Sequence, residues 1–193
     1  MLVARAGLTR ERLALIGGEL ADEIGFDRVT MSELARKVSV RPASLYSHVA
    51  SSHDLSTLIG LLALKDLADV AAAAVAGRSG KDALSAFADA CRDFAREHPG
   101  LYAATRLPLD RETAANSAGV RHAEMMRAIL RGYDLPEPEQ THAVRLLGST
   151  IHGFIALEGS GGFSHSDPDA QESWTRIVDA LDVTLRSWPR ARA

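Results

Sequence analysis

The amino-acid sequence predicts an all-α protein of about nine helices, a short three-helix head containing a helix-turn-helix followed by a longer helical body. Three observations carry this. Apolar residues recur at helical spacing in every long segment, and no stretch of useful length alternates apolar and polar residues as a strand would. Residues 30–55, TMSELARKVSVRPASLYSHVASSHDL, hold two short helical patterns separated by a tight turn.

The first helix runs from about Arg10 to Ile24 behind Thr9 as N-cap, with Leu13, Ile16, Leu20 and Ile24 on one stripe and Gly25 as its stop. Gly17 and Gly18 cost it up to ~1 kcal/mol each relative to alanine, which points to close packing there. Thr30 and Glu33 form a capping box for the second helix, which carries Leu34, Ala35 and Val38 inward. Ser39 and Val40 make the turn, and Pro42 opens a third helix reaching about His48. Leu45 and Val49 share its buried face, so Arg41, Ala43, Ser44, Tyr46, Ser47 and His48 point outward. Basic and hydroxyl groups suit phosphates, small residues allow close approach and polar tips meet base edges; a major groove asks for such a surface.

The body follows. Ser51 and Asp54 open a long helix to about Ala76 that connects it to the head, and Gly77 and Gly80 bracket a loop. Ser79 with Asp82 is expected to cap a helix bearing Leu84, Phe87, Ala88, Cys91, Phe94 and Ala95, stopped by His98, Pro99 and Gly100. A short segment around Leu101 to Thr105 precedes a helix from about Asp110 to Arg131. After Pro136 and Pro138 a helix reaching about Glu158 bears Val144, Leu147, Ile151, Phe154 and Ile155. Beyond the loop GSGGFSHS, Asp167 is expected to cap a last helix with Pro168 at its first position, displaying Trp174, Ile177, Val178, Leu181 and Leu185.

Composition narrows the function. With 193 residues, 46% of them hydrophobic, and no apolar run long enough to span a bilayer, a compact protein without a membrane segment is expected. A single cysteine, Cys91, and a start without a secretory pattern point to the cytoplasm. The net charge of −3 is not spread evenly. Residues 1–55 balance seven Lys/Arg against seven Asp/Glu, and residues 36–48 hold three bases and no acid, so the acidic excess lies outside the outward face. Arg5 and Arg10 could reach a DNA backbone or minor groove, or form a solvated tail. No HExxH, paired-Cys motif, nucleophile elbow or phosphate loop occurs, and His142 and His152 lie roughly 15 Å apart along one helix, so no catalytic site, metal or cofactor is expected. A helical adaptor that binds protein would account for the apolar helices but not for the face of residues 41–48.

The segment Val40-Arg41-Pro42-x-Ser44-Leu45-Tyr46-x-His48-Val49 resembles the recognition region of the tetracycline-repressor (TetR) family of transcriptional regulators, with the likeness running from about Leu13 to Leu55. The resemblance implies a DNA-binding domain over residues 1–53 and a ligand-binding and dimerisation domain over residues 54–193. It implies that Arg41, Pro42, Ala43, Ser44, Tyr46, Ser47 and His48 line the DNA-facing side and that the backbone amide of Thr30 holds a phosphate. Ser39 stands where many relatives have glycine, at a cost of roughly 1 kcal/mol if the turn needs positive φ. Ser52 stands where many have a phosphate-binding lysine, which would make DNA binding less salt-dependent.

One short recognition element reads too few base pairs, so helix-turn-helix proteins pair two half-sites by dimerising. The last two long helices are the expected homodimer surface, since Gly148, Ser149 and His152 form a low-relief strip and the final helix ends its apolar face at Trp188. By the resemblance these helices form a four-helix interface, and the partner is double-stranded DNA with a palindromic operator. The body would then bind a small-molecule inducer that displaces the paired heads. The lining expected is Phe87, Cys91, Phe94, Tyr102, Arg106, His122, Met125, Met126, Ile129 and His152, mostly apolar, which favours a hydrophobic or aromatic ligand.

Overall fold

The computed structural model describes residues 7–189, and all regular structure among them is helical. Nine α-helices follow in order: α1 (Arg10–Ile24), α2 (Met31–Lys37), α3 (Ser52–Val75), α4 (Gly80–Glu97), α5 (Pro99–Ala104), α6 (Arg111–Ala115), α7 (Gly119–Leu130), α8 (Glu137–Gly159) and α9 (Ala170–Arg186). Short 3₁₀ turns occupy Phe26–Arg28, Pro42–Ser44 and Arg131–Tyr133. Among the described residues no helix is long and apolar enough to cross a membrane. Arg5 lies outside the described residues.

The chain forms two compact units, one from Met1–Leu67 with Phe94–Gly119 and the other from Ala68–Asp93 with Val120–Ala193, so the division falls inside α3 and inside α4. In the first unit α1 begins where Thr9 Oγ1 accepts the Arg12 N–H at 3.2 Å and ends at Gly25, whose φ of +91° suits glycine. Leu13 and Leu20 are buried, Ile16 and Ile24 half-buried. The paired glycines of α1 have neighbours at contact distance: a Cβ on Gly17 would lie 2.8 Å from Ile59, and one on Gly18 2.9 Å from Leu101.

The closest approach is that of α5 to α1. A Cβ on Gly100 would sit 2.0 Å from the Ala21 carbonyl oxygen, so only glycine lets the two backbones meet. Asp22 of α1 makes use of that proximity. Its Oδ1 accepts the N–H groups of Gly100 and Leu101 at 2.8 and 2.9 Å, satisfying donors at the start of α5, and its Oδ2 lies 2.8 Å from His98 Nδ1.

In the second unit the dominant feature is a buried charge. Arg92 of α4 is 2% exposed; its Nε and Nη2 donate to the two oxygens of Glu158 at 2.9 and 2.6 Å, and Nη1 donates to Gln171 Oε1 at 2.7 Å. The guanidinium carbon lies 5.3 Å from the Phe154 ring centre and 5.0 Å from that of Trp174, and the Trp174 indole donates to Asp89 at 2.6 Å. Thus α4, α8 and α9 are fastened by one fully engaged fork. A smaller network joins Tyr133, whose hydroxyl donates to Asp182 at 2.8 Å, and Arg186, whose Nε donates to the other Asp182 oxygen at 2.9 Å. Burial and the Asp182 hydrogen bond push the Tyr133 hydroxyl upward. Burial also presses the Asp182 carboxyl up, but hydrogen bonds from Arg186 and Tyr133 outweigh it and hold that group below the usual range.

Several boundaries differ from the sequence expectation. The helix expected over Asp110 to Arg131 is broken into α6 and α7. At the break Ser117 Oγ donates to the Ala114 carbonyl at 2.8 Å and accepts the Gly119 N–H at 3.1 Å, supplying a local alternative to helical bonding. The last helix is capped by Asp169, which accepts the Glu172 N–H at 2.8 Å, and not by Asp167. The segment after His98 is itself a helix, α5, with Pro99 in its first turn.

Candidate nucleic-acid interface

Thr30 caps α2 as expected: Oγ1 accepts the Glu33 N–H at 3.1 Å. The Glu33 side chain pairs with Arg36. α2 ends in a Schellman-type closure, with the Ser39 N–H bonding the Arg36 carbonyl at 3.2 Å and the Val40 N–H the Ala35 carbonyl at 3.0 Å. Ser39 takes φ +57°, the left-handed conformation that glycine would adopt without strain. The turn therefore does require positive φ, and serine bears the cost.

The recognition segment is less regular than the helix expected over Pro42 to His48. It is one 3₁₀ turn, Pro42–Ser44, continuing as hydrogen-bonded turns. The Ser44 N–H bonds Arg41 at 2.9 Å, Leu45 bonds Pro42 at 3.0 Å, and His48 and Val49 both bond the Leu45 carbonyl at 2.9 Å. The Ser47 hydroxyl donates to the Ser44 carbonyl at 2.9 Å, competing for backbone acceptors that an α-helix would use. The facing of the side chains nevertheless matches the expectation. Leu45 and Val49 are fully buried, while Arg41, Pro42, Ala43, Ser44, Tyr46 and Ser47 are exposed and His48 is half-buried. Tyr46 is 54% exposed, which an apolar ring in a packed corner would not be.

Charge on this face is sparser than the count over residues 36–48 implies. Folding brings Glu33 to Arg36 and Glu23 to Lys37, so Arg41 is the base of that stretch without an ion pair among the described residues. Ser52 is exposed at the first position of α3, and the N-cap bonding there comes from Ser51, whose Oγ accepts the Asp54 N–H at 3.1 Å. Asp54 in turn accepts the Ala50 N–H at 2.8 Å and both Nη groups of Arg10 at 2.8 and 2.9 Å. That arrangement was not visible in the sequence, since Arg10 and Asp54 stand 44 residues apart without any local pattern linking them.

Similarity to known proteins extends over most of the chain. Residues 84–181 match the family described as tetracyclin repressor-like, C-terminal domain. An HTH-type transcriptional regulator of Mycobacterium tuberculosis, Rv0681, is 34% identical over 171 residues, covering 87% of this chain and 78% of the relative. The chain belongs to the TetR family. A second relative, the HTH-type transcriptional regulator YobS of Bacillus subtilis, is 31% identical over 185 residues, 95% of this chain and 92% of its own. Solved structures share the fold: a possible TetR regulator of Streptomyces coelicolor (TM-score 0.70, 19% identity, 93% of this chain and all of that one) and BioQ with its double-stranded DNA operator (TM-score 0.70, 19% identity, 94% and 99%). As a TetR-family member the protein is a helix-turn-helix DNA-binding transcriptional regulator and not an enzyme.

The residues expected to meet a ligand in the TetR body fall in both units: Phe94, Tyr102 and Arg106 in the first, and Phe87, Cys91, His122, Met125, Met126, Ile129 and His152 in the second. Phe87, Cys91, Phe94, Tyr102 and Ile129 are buried, Arg106 is exposed, and the other four are half-buried. Phe87 and His122 meet edge to face at 6.2 Å. Met125 borders an open depression of about 520 Å³ whose other walls are Ala72, Arg121, Glu124, Arg127, Ala128 and Arg131. Burial pushes the Cys91 thiol up to about 12, leaving it protonated and unreactive at neutral pH.

Proposed function

We propose that this regulator is a repressor that binds a palindromic operator as a homodimer and leaves it when a small apolar ligand occupies the body. The observation that carries the reading is the exposed face of Arg41, Pro42, Ala43, Ser44, Tyr46 and Ser47, with half-buried His48 at its end, mounted on fully buried Leu45 and Val49. Arg41 is the phosphate or guanine contact, Ser44 and Ser47 reach phosphate or base edges, Tyr46 and His48 flank them, and Pro42 and Ala43 permit close approach. Thr30 offers its amide to a phosphate at the start of α2, and Ser52 does the same more weakly at the start of α3. Function divides as a DNA-binding domain over residues 1–53 and a ligand-binding and dimerisation domain over residues 54–193. Action on DNA implies residence in the cytoplasm.

Support for the partners comes from similar folds. BioQ has been solved with its operator, a TetR variant of Acinetobacter baumannii with minocycline (TM-score 0.74, 14% identity), and the Streptomyces coelicolor protein ActR with (S)-DNPA (TM-score 0.68, 18% identity). The homodimer reading rests on α8 and α9, where Leu157 and Val183 are 54% and 62% exposed and a Cβ on Gly148 or Gly153 would meet nothing within 4 Å. The apolar-ligand reading rests on the aromatic and methionine content of the ten candidate residues.

A gel shift with the promoter region of the protein's own gene tests this. The expected result is a discrete retarded complex that resists unrelated competitor duplex and dissolves with a ligand that also raises the melting temperature. Equal competition by any duplex would sink the operator reading, a monomer in sedimentation at micromolar concentration would sink the homodimer, and ligands that proved uniformly highly charged would sink the apolar pocket.

A further inference from the structure

The recognition segment is held by something other than its own backbone. Residues 41–48 contain a single 3₁₀ turn, so their direction is not inherited from the axis of a regular helix. Leu45 and Val49 pin one side only. At the far end Arg10 Nη1 donates to the His48 carbonyl at 2.9 Å and to Asp54 Oδ2 at 2.9 Å, while Nη2 donates to Asp54 Oδ1 at 2.8 Å. Asp54 Oδ2 also takes the Ala50 N–H at 2.8 Å. One guanidinium thus ties the first residue of α1, the last residue of the exposed face and the first turn of α3.

We propose that Arg10 is a positioning residue for DNA reading: with Asp54 it braces the His48 end of the recognition segment and fixes the angle at which residues 41–48 meet the groove. Phosphate contact is the competing role. The geometry argues against it, because both terminal nitrogens are committed within the protein and the adjacent carboxylate cancels the charge that a phosphate would seek. The ionisation of the pair agrees: the Asp54 hydrogen bond and charge raise the Arg10 guanidinium, and the Arg10 hydrogen bond holds the Asp54 carboxyl below the usual range. The inference rests on residues 41–48 being the reading face.

The experiment uses the full chain. Wild-type protein selects a duplex from a randomised pool, and anisotropy then compares that duplex with a random-sequence one across a salt series for Arg10→Gln, Arg10→Lys, Asp54→Asn and the double variant Arg10→Gln/Asp54→Asn. Positioning predicts that each single variant, Arg10→Lys included, loses about tenfold in affinity for the selected duplex, roughly threefold at each half-site, with affinity for the random duplex and the salt slope unchanged. The double variant should be no worse than either single one, since each breaks the same brace. If Arg10→Gln fails to fold, Arg10→Lys and Asp54→Asn make the same comparison. The proposal is overturned if Arg10→Gln weakens both duplexes alike and lowers the salt slope by about one per half-site while Arg10→Lys restores binding, or if Asp54→Asn binds as tightly as wild type. Failure of the wild type to enrich any duplex removes the DNA reading of residues 41–48 and this inference with it; enrichment with all variants unaffected removes the inference alone.

Discussion

Arg10 and Arg92 both grip a carboxylate with a two-pronged fork, yet they do so in opposite surroundings. Arg10 and Asp54 lie at the surface of the head, with side chains 47% and 24% exposed, whereas Arg92 and Glu158 are 2% and 17% exposed in the second unit. A solvated pair contributes about 0–1 kcal/mol to stability, so the value of the first lies in the direction it gives to a chain segment. A buried pair contributes little net on formation but is costly to break, because the surviving charge has no water to return to. The second unit is therefore fastened where change is expensive, and the segment 41–48 is held by a pair whose own contribution to stability is small.

Arg92→Ala should break this contrast most strongly. It takes the guanidinium away from Glu158 and Gln171 and from the rings of Phe154 and Trp174, and a loss of about 3–5 kcal/mol is expected, seen as a large fall in melting temperature. Gly100→Ala comes next. Its Cβ would lie 2.0 Å from the Ala21 carbonyl oxygen, so α1 and α5 must separate, at about 2–3 kcal/mol by chemical denaturation. Ser39→Gly should act in the other direction, stabilising by roughly 1 kcal/mol as the left-handed turn loses its Cβ penalty.

The smallest effect is that of Asp54→Asn, below about 1 kcal/mol at neutral pH. Its sign follows from the lowered folded-state ionisation of Asp54, whose first cause is the Arg10 hydrogen bond. A carboxylate held below its ordinary value of 3.8 stabilises the fold above that value and loses the contribution as pH falls through the lowered one. Wild type and variant should accordingly differ at pH 7 and converge as pH falls below 3.8. A difference that persisted in acid would assign the effect to packing instead of charge.

The helix starts and the buried side of residues 41–49 are legible in the sequence; the two ion pairs are not. Thr9, Thr30 and Ser51 announce helix starts because a hydroxyl at an N-cap satisfies a specific orphan amide, and all three accept one in the structure. Leu45 and Val49 identified the buried side of the reading face through spacing alone. The sequence is less informative where several local bonds compete. Residues 42–48 and 111–130 have helical patterns, but the first forms a 3₁₀ turn followed by hydrogen-bonded turns and the second is split in two, and Ser47 and Ser117 bond backbone carbonyls at those places. Distant pairings were beyond reach. Nothing near Arg10 points to Asp54, and nothing near Lys37 points to Glu23, which is why the local charge of the head looked higher than its folded surface carries. Arg92 did leave a trace: it shares the inward register of Ala88 and Ala95, where an arginine needs a buried partner. For the proposed ligand residues, spacing could mark Phe87, Cys91 and Phe94 as inward but could not separate plain core from cavity wall.

If residues 41–48 read DNA, Arg41, the exposed base of that stretch, must contribute to binding. Anisotropy of wild type and Arg41→Gln against a selected duplex over a salt series tests it directly. The variant should lose affinity at least tenfold, and its salt slope should fall by about one per half-site. Unchanged affinity and an unchanged slope would contradict it.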